Sequence, residues 1–197
     1  MAQAADRFVT LSSNAGSLVG RIGANGQCSA IAARNSAAPR ATASIFKIWM
    51  LGGVARAIVA GTASTAECVA MVASEIAPGE LINVEPIGTL FLRADLAVLM
   101  MGNSDNTATD LLHERLGRSA IGAVVDAYGV AQPDLLKPMV GISEQFHVFL
   151  SFPLVDALSY VDGTQAFKDQ FLAEHVVPLG PNTGGSCFHP ALLTDGT

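Results

Sequence analysis

The sequence predicts a mixed α/β chain of the α+β kind, an N-terminal β-hairpin followed by a mostly helical domain. Three observations carry that reading. Residues 17–35, SLVGRIGANGQCSAIAARN, place short apolar stretches on either side of Asn25-Gly26, a dipeptide suited to a hairpin turn. From Ala43 onward the apolar period lengthens to that of a helix. Half of the 197 residues are apolar and only 14% are charged, enough to build a core and too few charges for a disordered chain. The expected organisation is one domain over 1–197, with 1–40 as the hairpin and 41–197 as the helical part.

Each element follows in order. Pro39 ends the extended segment. Ile45, Ile48, Trp49, Leu51 and Val54 then cover most of a helix circumference, the pattern of a helix buried all round. Residues 64–76 read as helical or turn-rich, and 77–89 as a loop punctuated by Pro78-Gly79 and Pro86. A helix is expected over 92–101, with Leu92, Leu96, Leu99 and Met100 on one face. GNSDN interrupts it, and TATDLLHERLG resumes a helix, with Thr107 near its cap, that stops at Gly117. Residues 119–129 form a short helix with a serine near its N-cap and Gly129 at its end. Residues 143–161 are a second apolar helical region divided by Pro153, and 164–176 a last amphipathic helix. The tail is turn-rich. No internal repeat or low-complexity tract is present.

Composition excludes several function classes. A net charge of −6 without a Lys/Arg cluster argues against a nucleic-acid partner. The longest apolar candidate, 48–60, is broken by Arg56 and two glycines and falls short of a membrane span. Cys28, Cys68 and Cys187 are too few and too scattered for a disulfide framework, and their odd number leaves a free thiol. His113, His147, His175 and His189 lack metal-ligand spacing, so no metal or cofactor is expected; His113, beside Glu114, is placed on a solvated face. The first residues, MAQAADRF, lack the basic and apolar regions of a secretory signal, which fits either a cytoplasmic protein or a mature exported one.

Two short motifs carry chemistry. Ser44 and Lys47 stand at i and i+3 within an apolar run, on one helix face and within reach of each other. A serine hydroxyl needs a base to become a nucleophile, and a lysine desolvated in a buried helix can be that base. If Ser44 opens the helix, the helix N-terminus also favours developing negative charge. The plainer reading is a serine cap with a lysine reaching out of the core. The second motif, Ser104-Asp105-Asn106, sits on a break between two helices, where a hydroxyl and an amide can enter a cleft or simply form a turn.

Taken together, in this order and 60 residues apart (from Ser44 to Ser104), SIFK and SDN make the chain resemble the penicillin-recognising serine hydrolase superfamily: class A β-lactamases, penicillin-binding proteins and related esterases. SDNTATDLL is similar to the helical segment of the class A enzymes, and the resemblance runs over roughly residues 15–197. It implies a β-lactamase/transpeptidase-like fold and no cofactor. It also implies that Ser44 is the nucleophile, Lys47 its activating base, and Ser104 a proton shuttle to the leaving group. Asn106 then hydrogen-bonds the substrate amide and the lysine, while Asp105 braces the turn.

Two departures shape the expected activity. No E-x-x-L-N loop occurs in QPDLLKPMVGISEQFHVF; Glu144 is the only glutamate there and reads as part of a helix start capped by Ser143. Slow deacylation or esterase activity follows as an expectation. K-T-G is also missing; Asn182-Thr183-Gly184 is the nearest string and reads as a loop, so the C-terminal strands of the fold are expected to be absent. The leading function is acyl-enzyme hydrolysis of a β-lactam amide. A carboxylesterase of the same fold, a non-catalytic ligand-binding relative and, last, a helical interaction module are the alternatives. The expected partner is a small-molecule acyl substrate, β-lactam or ester, with possible homo-oligomers or strand exchange through open edges.

Overall fold

The computed structural model describes residues 2–79, 81–130 and 132–181. The Asn182-Thr183-Gly184 string, Cys187, His189 and the expected absence of C-terminal strands lie outside the described residues. Backbone contacts divide the described residues into two compact units, one before residue 44 and the other from Ser44 onward.

The first unit holds α1 (Ala2–Phe8) and the antiparallel pair β1 (Ser17–Ile22) and β2 (Cys28–Arg34), running from Ser17 opposite Arg34 to Ile22 opposite Cys28. The turn is built over residues 23–27: Gly23 N–H donates to Gln27 O and Gly26 N–H to Gly23 O. Gly26 takes φ 76°, a conformation that costs a glycine nothing. The short-period reading of the first 40 residues passed over α1, whose Asp6 pairs with Arg34 on β2.

The second unit is mostly helical. α2 (Lys47–Val59) packs on α3 (Arg93–Gly102), α4 (Asn106–Leu116) and α5 (Arg118–Ala127). Met50, Val54, Leu96, Met100, Leu112 and Ile121 form the centre of its core. The glycine pair in α2 permits this approach, since a Cβ on Gly52 would stand 2.8 Å from Val124 Cγ1 and one on Gly53 3.2 Å from Leu116 Cδ1. α2 is not apolar-buried all round, however. Ile45, just before it, is 61% exposed and Ile48 55%, so one flank of this apolar helix faces outward.

Residues 64–76 follow the turn-rich alternative and not the helical one: β3 (Cys68–Ala70) pairs antiparallel with β4 (Leu90–Leu92), and a 3-10 turn follows at Ala73–Glu75. β4 therefore ends where the expected helix over 92–101 was to begin, and α3 starts at Arg93. Gly117, at φ 78°, ends α4 and also caps the start of α5, where a serine was expected near the N-cap. α6 (Ile142–Leu150) and α7 (Leu154–Asp162) are separated at Pro153 as expected. α8 (Gln165–Phe171) continues through a π turn over Leu172–Val176. A second cluster, with Val148, Tyr160, Phe171 and Leu172 at its centre, packs these last helices. No described helix is long and apolar enough to cross a membrane.

Candidate active site

Ser44 does not begin the α-helix. It lies in a 3-10 turn, Ala43–Phe46, that runs directly into α2, and its side chain is exposed. Ala43 enters this turn at φ 43°, in the left-handed region that a Cβ disfavours. Lys47 is the first residue of α2 and is 1% exposed. It does not reach out of the core; its Nζ is held by the break between α3 and α4.

Three hydrogen bonds use all three donors of that ammonium. Nζ donates to Ser104 O at 2.6 Å, to Ser104 Oγ at 3.0 Å and to Asn106 Oδ1 at 2.9 Å. Ser104 takes φ 58°, and in this conformation its carbonyl and its hydroxyl both meet the lysine. Lys47, Ser104 and Asn106 thus stand together, while none of the three bonds of Lys47 goes to Ser44. Burial pushes the Lys47 pKa below its ordinary 10.5, against the attraction of Asp105 and Asp110.

The turn is braced from beneath. Asp105, rather than Thr107, caps α4, accepting from Ala108 N at 2.7 Å through Oδ1 and from Ile82 N at 3.2 Å through Oδ2. Asn106 Nδ2 donates to Pro78 O at 2.5 Å, and Thr107 Oγ1 bonds both Ala77 N and Ala77 O. Three consecutive residues therefore fasten the 77–82 loop to α4. Reading along the chain missed this loop as part of the site, because its pairing partners lie 23 to 30 residues away.

Asp110 is the other residue the sequence reading passed over. It is 2% exposed and accepts the first backbone N–H groups of α6, from Ile142 at 2.5 Å and Ser143 at 2.8 Å. Burial pushes its carboxyl up to about 7, opposed by those two hydrogen bonds. Glu144 is the third residue of α6. It ion-pairs with Arg118 and accepts from Gly141 N at 2.9 Å, so Gly141 rather than Ser143 is the N-cap, with the Glu144 side chain reaching back to its N–H. Gly141 sits tight on Asp110, since a Cβ there would lie 3.0 Å from Asp110 Oδ1.

His113 and His147 belong to the scaffold. His113 is buried, not solvated, and its Nε2 donates to Met139 O at 2.7 Å. His147 lies between Ser151 Oγ and Gly180 O. Among the described residues no group of three His, Cys, Asp or Glu side chains could hold a metal ion, and Cys28 and Cys68 are free thiols.

The model of the beta-lactamase enzyme family matches residues 7–160. Among solved structures, the chain is similar to the beta-lactamase from Sphaerobacter thermophilus DSM 20745, with 26% identity and a TM-score of 0.53 over 64% of this chain and 48% of that one. It is similar in fold to PBP-A, with 20% identity and a TM-score of 0.54 over 68% and 55% of the two chains. A PBP-A mutant, solved as an acyl-enzyme complex with penicillin G, gives 23% identity and a TM-score of 0.53 over 68% and 53%. The chain thus spans about half the length of these structures. No curated protein matches it.

Proposed function

We propose, for a chain that belongs to the beta-lactamase enzyme family, that it is a serine hydrolase whose Ser44 is acylated by small-molecule β-lactams. The observation that carries this reading is the buried Lys47, bonded at once to Ser104 and Asn106 at the foot of the turn that bears Ser44. A lysine whose burial favours the neutral amine can take the Ser44 proton. Ser44 Oγ then attacks the lactam carbonyl carbon, and the carbonyl π electrons move onto its oxygen. When that tetrahedral centre collapses, the C–N bond breaks and its electron pair goes to nitrogen. Ser104 gives its hydroxyl proton to that nitrogen and is reprotonated by Lys47 across the 3.0 Å contact. Asn106 keeps the lysine in place and offers its amide toward the substrate.

Deacylation is the slower half. The Glu144 carboxylate is committed to Arg118 and Gly141 N–H, and that of Asp110 to the start of α6, so neither is free to activate a water. This favours a long-lived acyl-enzyme over rapid β-lactam hydrolysis, with ester cleavage at the same serine as the second reading. The test is incubation with penicillin G and with a p-nitrophenyl ester, followed by intact-mass measurement and peptide mapping over time. A persistent penicilloyl adduct on Ser44, lost in Ser44→Ala, is the expected result. Labelling that survives Ser44→Ala would show that the nucleophile lies elsewhere, and fast ester turnover without a lactam adduct would favour the esterase.

A further inference from the structure

At the end of α2 remote from Lys47, a cavity of about 390 Å³ opens between α2, α4, α5 and the start of α3. Three arginines line it, Arg56, Arg93 and Arg115, and no carboxylate does. The chain has only 11 lysines and arginines and a net charge of −6, so three guanidinium groups around one cavity repel one another for some purpose other than general solubility.

Arg93 is the informative member. It is 3% exposed, and Glu67 neutralises only one edge of it, through Nη2 at 2.7 Å. Its Nε and Nη1 are buried without any hydrogen-bond partner. Three N–H bonds of a buried cation, one on Nε and two on Nη1, thus meet no acceptor, an arrangement folded proteins rarely tolerate. Arg115 lies close enough to Glu67 to help hold its carboxyl below the usual range, so two arginines already share that single negative charge. Arg56 makes one long bond, Nη1 to Ala123 O at 3.4 Å, and is otherwise open. Ala120, in the first turn of α5, also lines the cavity, adding the positive end of a helix.

We infer that this cavity binds a phosphate group, free or as the monoester of a small molecule, clamped by Arg56, Arg93 and Arg115. A doubly charged tetrahedral oxyanion offers acceptors to several guanidinium forks at once and removes the excess charge. The cavity is larger than inorganic phosphate requires, which leaves room for an organic substituent. This inference is independent of the chemistry at Ser44.

The test is calorimetric titration of the whole chain with inorganic phosphate and with phenyl phosphate, at ionic strength held constant with sodium chloride. Saturable binding of one phosphate per chain is expected. Arg56→Gln and Arg115→Gln change exposed side chains, so the fold persists, and each should weaken binding about tenfold or more. Glu67→Gln removes the competing carboxylate and should tighten binding. Tighter binding of phenyl phosphate identifies an ester as the ligand, and equal binding identifies the free ion. The proposal is overturned if phosphate binds no better than chloride, or if Arg56→Gln and Arg115→Gln, shown by circular dichroism to be folded, bind it as the unaltered chain does.

Discussion

Lys47 Nζ and Ser104 Oγ lie 3.0 Å apart although 57 residues separate them, and Ser104 O holds the same nitrogen at 2.6 Å. In the proposed mechanism this contact is the path by which Lys47 returns a proton to Ser104. As an ammonium, Lys47 has no lone pair with which to take the Ser44 proton, and its three N–H groups all donate to Ser104 and Asn106. The base of the proposed mechanism is therefore the neutral amine, the form that burial favours.

Lys47→Ala should lower the rate of Ser44 acylation by about 10² to 10⁴, the usual worth of a positioned base. In the unaltered chain the rate should climb with pH as Lys47 loses its proton, with a midpoint below 10.5 because burial depresses its pKa. Time-resolved mass measurement of the penicilloyl adduct checks both. A Lys47→Ala rate within a few-fold of the unaltered chain, with the same pH profile, would remove Lys47 from the mechanism.

Asp110 couples stability to pH with a definite sign. In the unfolded chain its carboxyl titrates near the ordinary 3.8, and in the folded chain burial pushes it up to about 7. Between those values the folded state holds the additional proton, so raising the pH destabilises the fold. Glu75, half-buried and also pushed up by burial, adds to the same trend. Asp110→Asn should flatten the fall in Tm between about pH 4 and pH 8 without abolishing it. It should also lower stability at acid pH by about 1 to 3 kcal/mol, since one N–H of α6 loses its acceptor. Thermal melts across that range are the measurement, and an unchanged slope in Asp110→Asn would assign the trend to other groups.

How legible these features were depends on how local they are. The hairpin is visible in sequence because Asn25-Gly26 and its flanking residues are contiguous, and so are the two motifs SIFK and SDN. The α1 helix was not, because seven residues make a weak period and it is tied down by Asp6 reaching Arg34, 28 positions away. β3 escaped for the same reason: three residues have no period of their own, and only pairing with Leu90–Leu92 makes Cys68–Ala70 a strand. In the site, Asp110 and the 77–82 loop were hidden because their roles are hydrogen bonds to distant backbone, which leave no pattern along the chain. The composition of α2 misled in the opposite direction, since apolar residues spread around a helix do not say which flank is covered.

That flank gives a contrast within one turn of helix. Met50 is fully buried among the core side chains, so Met50→Ala should cost about 2 to 5 kcal/mol. Ile48, two residues earlier and 55% exposed, should lose about 1 kcal/mol or less on substitution by alanine. Urea unfolding of the two variants compares them directly. Equal losses would mean that the Ile48 flank is covered in solution, and that α2 is buried all round as its composition implies.

Ala43 at φ 43° and Ser104 at φ 58° are non-glycine residues in the left-handed region, one beside the proposed nucleophile and one against its base. Such a residue costs on the order of 1 to 2 kcal/mol relative to an ordinary conformation and persists only where its surroundings enforce it. Glycine removes the Cβ clash but also gives the unfolded chain more freedom, so Ala43→Gly should stabilise the fold by no more than about 1 kcal/mol. Ala43→Val, β-branched at the same φ, should destabilise it by more than that gain. If the strain serves to aim Ser44, the freed backbone of Ala43→Gly should also slow acylation, by up to about 10²-fold, because small misplacements of a reacting atom are expensive. Tm and adduct-formation rates for the two variants test this. A glycine variant that is more stable and equally fast would show that Ala43 is only a strained entry to the turn, and that the position of Ser44 is fixed by the packing of Phe46 and Lys47 alone.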